Sequence, residues 1–333
     1  MFVPVLVSFV LFVFFVVEGF AVIDAMTTAV VFAYHNVGAR CLRVLLAHGI
    51  HVPLVVTHAD DPTETIWFER VADVAGDYGI PTVMPADVNA SETAARIGSL
   101  APDFYFSFYF RQMLTPALLA IAARGALNMH GSLLPKYRGR APVNWAVLHG
   151  ERETGATLHY MADKPDAGDI VAQTAIPILP DDTAGEVFAK VTVAAEMTLD
   201  RALPALLAGT APRIPMNLAA GSYYGGRTPA DGRIDWSQDA ARIHNLVRAV
   251  APPYPGATTT VGGRPARILR TRVLEAEGPP AAPALTLADN TVIAQCGGGG
   301  RLLVQALEVE GRPLPPHFLA RLGASPLPLG GER

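Results

Sequence analysis

The sequence predicts an α/β fold, a mostly parallel sheet wrapped by helices and followed by a small β-barrel domain. Three observations carry this. Short apolar runs alternate with amphipathic segments as far as residue 130. A Gly/Pro-rich stretch, GTAPRIP, then interrupts the pattern. Beyond it come one amphipathic segment and a series of strand-like runs, which suit a barrel.

Taken in order, AVVFAY (Ala29–Tyr34) is apolar on both faces and reads as a buried first strand. ARCLRVLLAHG has helical spacing and stops on Gly49. VPLVVTH is a second strand, and Glu64–Gly79 reads as a helix ending on glycine. IPTVMP is a third strand, and SETAARIGSLAP a helix with Ser91 as its cap. DFYFSFYF (Asp103–Phe110) and TPALLAIAARG give a fourth strand and helix, with Pro116 near the helix start. ALNMHGSLLP opens with a fifth strand. GATLHYM and IVAQTAIPI read as a hairpin, and Thr183 with Glu186 as a capping box for a helix from Ala184 to about Leu207. SQDAARIHNLVRAV is an amphipathic helix, and strand-like runs continue to about Val309, with CGGGG (Cys296–Gly300) as a turn. The expected division is a hydrophobic leader at 1–25, an α/β domain at 26–210, a linker, helix and barrel at 211–309 and a loose Pro-rich tail at 310–333.

The leader is uncharged from Met1 to Val17, at the lower edge of a membrane span. It lacks the basic start of a signal peptide. A start site at Met26, a membrane anchor and an ordered extra segment are the competing readings. The chain as a whole is half hydrophobic with net charge −4, which argues against a general nucleic-acid binder. Two cysteines, Cys41 and Cys296, suggest no disulfide framework and fit a reducing cytoplasm.

Chemistry concentrates in GALNMHGSLLPKYRGRAPVNW. Alternate strand residues share a face, so Asn128 and His130 project together at the end of the fifth strand. An Asn amide can donate to an oxyanion, and a His can move a proton near neutral pH. That pair suits acyl transfer to an amine, although polar residues at a strand end can equally serve loop backbone. A carboxylate to orient the His is available at Asp163, Asp166 or Asp169, and the residues alone leave the choice open. Lys136, Arg138 and Arg140 follow closely and suit phosphate or carboxylate; Arg227 in GGRTP is a further candidate. No GxGxxG follows the first strand, so a Rossmann-like fold that does not bind NAD is expected.

NMHGSLLPKYRGRAPVNW followed by DAGDIV resembles the folate-dependent formyltransferases, which carry a formyl group from 10-formyltetrahydrofolate to an amine. VVFAYHNVG, FSFYFRQML, GGRTPADGRIDW and VRAVAPPYPGA look most like the branch acting on UDP-4-amino-4-deoxy-L-arabinose in bacterial lipid A modification. The similarity runs from Met26 to about residue 270. It implies a Rossmann-like domain followed by an OB-like barrel, with no metal. It implies that Asn128 stabilises the transition state, that His130 is the general acid/base and that Asp166 raises the His pKa. It implies a folate pocket of Gln112, Met113, Leu114 and Arg140 with the loop Ala162, Asp163, Lys164, Pro165 and Asp166. Lys136, Arg138 and Arg227 are the expected contacts to the sugar nucleotide. The arabinose enzymes carry a fused decarboxylase domain that this sequence lacks, so a free-standing cytoplasmic transferase is expected. A formyltransferase for another amino-sugar nucleotide is one alternative; a methionyl-tRNA formyltransferase and an idle folate- or nucleotide-binding module are the others. The low basicity counts against the tRNA enzyme and the intact Asn128, His130 and Asp166 against the idle module.

Overall fold

The computed structural model describes residues 26–62, 64–288, 291–314 and 325–330. The leader, with its three readings, lies outside them. The chain runs β1 (Thr28–Ala33), α1 (His35–Ala47), β2 (His51–Val56), α2 (Val71–Asp77), β3 (Thr82–Val83), α3 (Ser91–Gly98), β4 (Phe104–Phe108), α4 (Pro116–Leu119), β5 (Gly125–His130), β6 (Arg138–Gly139), α5 (Pro142–Leu148), β7 (Glu153–Tyr160), β8 (Ile170–Pro177) and α6 (Ala184–Leu207). It continues with β9 (Tyr223–Tyr224), α7 (Ala240–Val250), β10 (Ala257–Val261), β11 (Arg264–Glu275), β12 (Ala284–Ala288), β13 (Thr291–Gln295), β14 (Arg301–Val309), β15 (Arg312–Pro313) and β16 (Leu327–Pro328).

The first sheet has the order β3-β2-β1-β4-β5-β7-β8. It is parallel from β3 to β5, and both later pairings, β5–β7 and β7–β8, are antiparallel. The parallel strands are apolar on both sides because both faces are covered. Val31 and Phe106 pack with α1 and α6, whereas Val30, Phe32 and Tyr105 pack with Ile97 of α3 and Leu118 of α4. The α6 helix starts as its sequence demands. The Thr183 hydroxyl accepts from the Glu186 N–H, and the Glu186 carboxylate accepts from the Thr183 N–H.

Three local readings change. Residues 64–70 stay out of helix, and α2 begins only at Val71. Tertiary contacts override the pattern there: Glu64 pairs with Arg111, Glu69 with Arg43 and Arg70 with Asp60, while Trp67 and Phe68 both turn onto the His35 ring. Adjacent helical residues could not share that partner. Ser91 is the first residue of α3 and not its cap; Ala90 precedes it without a side-chain cap. The fourth helix is one short turn, capped by Thr115.

The second sheet runs β10-β11-β14-β13-β12-β16, antiparallel throughout. Leu329 bridges back to Val261 of β10, so the ring nearly closes. The segment read as a loose tail therefore completes the barrel at 325–330. Leu327 and Leu329 are buried in its core beside Ile268 and Leu302, and β15 pairs with β14. The CGGGG stretch is a turn that also ties down the start of α7: Gly297 and Gly298 N–H donate to the Trp236 and Gln238 carbonyls, and Ala240 N–H donates to the Gly299 carbonyl.

α7 fastens the barrel to the first domain. Asn144 Nδ2 donates to the Ala249 carbonyl at 2.9 Å. Buried His244 donates from Nε2 to the Pro180 carbonyl at 3.0 Å and accepts at Nδ1 from Thr271 Oγ1. No described helix is long and apolar enough to cross a membrane.

Closure of the barrel by its last strand gives a test. Leu327→Ala leaves a cavity in the barrel core beside Leu285 and Ile268, and is expected to cost about 2–4 kcal/mol in denaturant unfolding. A loss below about 0.5 kcal/mol would show that this segment does not close the core.

Candidate active site

Asn128 and His130 end β5 and lie opposite His159 and Thr157 of β7. The loop from Met161 to Asp169 folds back over this pair. It is held where the Tyr160 N–H donates to the Asp169 carbonyl and the Met161 N–H to the Ala126 carbonyl. Asp166 sits in it with φ +50°, a left-handed conformation that turns its carboxylate inward. A Cβ at Gly168 would fall 2.1 Å from the Tyr160 carbonyl oxygen, so only glycine lets the loop close this tightly.

The Asp166 carboxylate is the hub. Its Oδ1 is 3.3 Å from Asn128 Nδ2, 3.4 Å from His130 Nδ1 and 3.6 Å from His159 Nε2. Its Oδ2 accepts from the Gly139 N–H at 2.9 Å. Burial pushes this carboxyl up, but the two imidazoles and the Gly139 N–H outweigh burial and hold it well below the usual carboxylate range. It is therefore an ionised acceptor. Of the three aspartates left open by the sequence, Asp166 is the one brought to the histidine.

His130 is buried. Its Nε2 donates to the Tyr137 carbonyl at 2.7 Å, which leaves Nδ1 as the nitrogen that can exchange a proton beside Asp166. The Tyr137 carbonyl is in place because the SLLP turn is pinned. Ser132 Oγ donates to the Lys136 carbonyl, Thr157 Oγ1 donates to the Ser132 carbonyl, and Gln173 Nε2 donates to both the Leu134 carbonyl and Thr157 Oγ1.

His159 escaped the sequence reading. It is 1 % exposed, donates from Nδ1 to the Tyr160 carbonyl at 2.7 Å, and receives Asn128 Nδ2 at Nε2 at 3.1 Å. Its signal was the His in GATLHYM, but only the β5–β7 register places it beside Asn128. The expected Asn128 donor is thus already engaged: both neighbours of Nδ2 are protein groups, and Oδ1 takes no hydrogen bond among the described residues.

The remaining candidates divide. Gln112 accepts from the Val88 N–H at Oε1 and donates to the Pro85 and Ala86 carbonyls, so its amide holds the 85–88 loop. Leu114 is buried with Val88 and Met161, whereas Met113 is 55 % exposed. Ala162, Asp163 and Lys164 are exposed and Pro165 is half-buried. Lys136 is exposed and faces Glu151 at 3.7 Å. Arg138 and Arg140 flank Gly139, whose strand pairs with β9; there a Cβ on Gly139 would meet the Tyr224 carbonyl at 2.2 Å. Tyr137, Tyr224 and Trp145 stack beside this ribbon, with the Arg227 guanidinium 4.8 Å over Trp145 and that of Arg138 6.0 Å from the Tyr223 ring centre. Arg138 Nε and Arg227 Nη1 are buried donors without a partner. No group of His, Cys, Asp and Glu among the described residues is placed to hold a metal ion.

The family model for formyl transferase matches residues 30–203, and that for the formyl transferase C-terminal domain matches residues 227–319. Solved structures share the fold. An N-formyltransferase from Helicobacter canadensis, in complex with folinic acid and dTDP-3-aminofucose, superposes with TM-score 0.66 at 18% identity, covering 84% of this chain and 99% of that one. WlaRD, a sugar 3N-formyl transferase in the presence of dTDP and 5-N-formyl-THF, gives TM-score 0.67 at 18% identity over 86% of this chain and 99% of that one. HypX from Aquifex aeolicus, in complex with tetrahydrofolic acid, gives 0.59 at 18% identity over 88% of this chain but 47% of that one. With residues 30–203 and 227–319 matched, and the Asn128–His130–Asp166 cluster inside the first of these, this chain belongs to the formyl transferase family.

Proposed function

We propose that this protein transfers a formyl group from 10-formyltetrahydrofolate to the amino group of a nucleotide-linked amino sugar, with UDP-4-amino-4-deoxy-L-arabinose as the acceptor and lipid A modification as the process served. The observation that carries this reading is the convergence of Asn128, His130 Nδ1 and the ionised Asp166 at the end of β5. Support for an amino-sugar acceptor comes from the folate and aminofucose nucleotide bound by the Helicobacter canadensis enzyme and from the sugar transferase WlaRD. The arabinose assignment rests on the sequence blocks that resemble that branch.

In this reading Met113, Leu114, Arg140 and the 162–166 loop border the folate, with Gln112 holding the loop beneath it. The folate supplies an activated formyl carbon. The acceptor nitrogen bonds to that carbon as the carbonyl π pair moves to oxygen. His130 Nδ1 takes the proton that the nitrogen sheds, and the Asp166 carboxylate stabilises the resulting imidazolium. The carbonyl re-forms as the C–N10 bond breaks, its electron pair stays on N10, and the proton held by His130 passes to that nitrogen. The product is the formamido sugar. Arg138 Nε and Arg227 Nη1, both without protein partners, suit the oxygens of the acceptor's diphosphate, with Lys136 at the rim.

Incubation with UDP-4-amino-4-deoxy-L-arabinose and 10-formyltetrahydrofolate is expected to give one formamide per folate consumed, read by mass spectrometry. No product from that sugar but product from another amino sugar would reject the arabinose assignment. His130→Ala is expected to lower kcat roughly 10²–10⁴-fold while folate still binds; activity within about threefold of wild type would remove His130 from proton transfer.

The Asp166 carboxyl also sets a pH dependence of stability. Its folded pKa lies below the unfolded value of about 3.9, so it adds stability above that pH and loses it as pH falls further. The Asp166→Asn variant should therefore lose less stability than wild type when denaturant midpoints are followed from pH 6 down to about 3. Parallel curves would mean that Asp166 is not the group responsible.

A further inference from the structure

Asn128 and His159 are a directly opposed pair across β5 and β7. The Tyr160 carbonyl, 2.7 Å from His159 Nδ1, takes an N–H there, and in that tautomer Nε2 carries the lone pair that faces Asn128. Asn128 Nδ2 lies 3.1 Å from that lone pair and 3.3 Å from Asp166 Oδ1. Both neighbours are acceptors, and each calls for an N–H. Turned over, the carboxamide would set its oxygen against a carboxylate oxygen and a ring lone pair. The orientation is therefore chemically determined: Nδ2 faces inward, and Oδ1 is left without a protein partner. His159 Nε2 is also 3.6 Å from Asp166 Oδ1, and its closer polar neighbour is Asn128 Nδ2. At 1 % exposure His159 is sealed away from any ligand.

We propose that His159 is a positioning residue that locks the Asn128 carboxamide with Oδ1 outward, so that Asn128 accepts an N–H of the attacking amine. This rests on the formyl-transfer reading above. The amine would then be held by one N–H on Asn128 Oδ1 with another directed to His130 Nδ1, which aims its lone pair at the formyl carbon. Asn128 acts on the nucleophile in this arrangement, where the sequence reading had it donating to the oxyanion.

The test compares His159→Leu with His159→Gln. Gln can offer Oε1 to Asn128 Nδ2, whereas Leu fills the space without an acceptor. The Leu variant is expected to lose roughly 10–100-fold in kcat with KM for both substrates within about threefold, as loss of orientation predicts. The Gln variant should recover most of kcat. Equal losses in the two variants, or full kcat in the Leu variant, would overturn the proposal. A second readout does not depend on the reaction. In protein labelled with ¹⁵N-asparagine, the Asn128 side-chain NH2 signals, assigned by their disappearance in Asn128→Ser, should be protected from exchange in wild type and in His159→Gln and unprotected in His159→Leu. Wild type that formylates no amine would defeat the reaction reading, while unchanged protection in the Leu variant would defeat the clamp.

Discussion

A single buried carboxylate organises this site. Asp166 is ionised at a place where burial disfavours its charge, and the surrounding groups outweigh that burial. These groups come from two stretches: Asn128 and His130 from the end of β5, and the Gly139 N–H from β6. An ionised group in that setting constrains its neighbours. Asn128 must turn its nitrogen inward and Gly139 must aim its N–H at the carboxylate, while the close pairing of β6 with β9 leaves no room for a side chain at 139.

The reversal of strand direction after β5 makes this convergence possible. Had β7 run parallel, a long crossover would separate it from β5. Running antiparallel, it sets His159 opposite Asn128 and Thr157 opposite His130 in one register. Thr157 then anchors the SLLP turn through Ser132 and Leu134, and that turn delivers the Tyr137 carbonyl to His130 Nε2. The same strand thus supports the amide and the imidazole.

Much of this was legible in the sequence because its signals are local. The buried parallel strands show as unbroken apolar runs, and α6 declares its start through Thr183 and Glu186. The Asn-x-His alternation gave the shared face of Asn128 and His130. What stayed hidden depends on pairing between distant segments. His159 acquires meaning only from its register against β5, and Leu327 and Leu329 only from closure of a barrel whose first strand lies far earlier in the chain. The helix expected from Glu64 failed for the same reason, since its charges pair with Arg43, Arg111 and Asp60 and its aromatic rings with His35. Gln112 shows the converse: the resemblance expects it at a folate pocket, but the use of its whole amide by the 85–88 loop was not readable.

The basic groups around β6 and β9 follow a related logic. On a chain of net charge −4, Arg227 is half-buried over Trp145, and burial disfavours its charged form. Its Nη1 and the Nε of Arg138 lack partners, which costs free energy in the ligand-free protein. The Trp145 and Tyr223 rings offset part of that cost; in the proposed reading, phosphate oxygens of the acceptor would satisfy both donors. On that reading, the buried donors that lack a partner among the described residues are the ones that would recognise a charged acceptor.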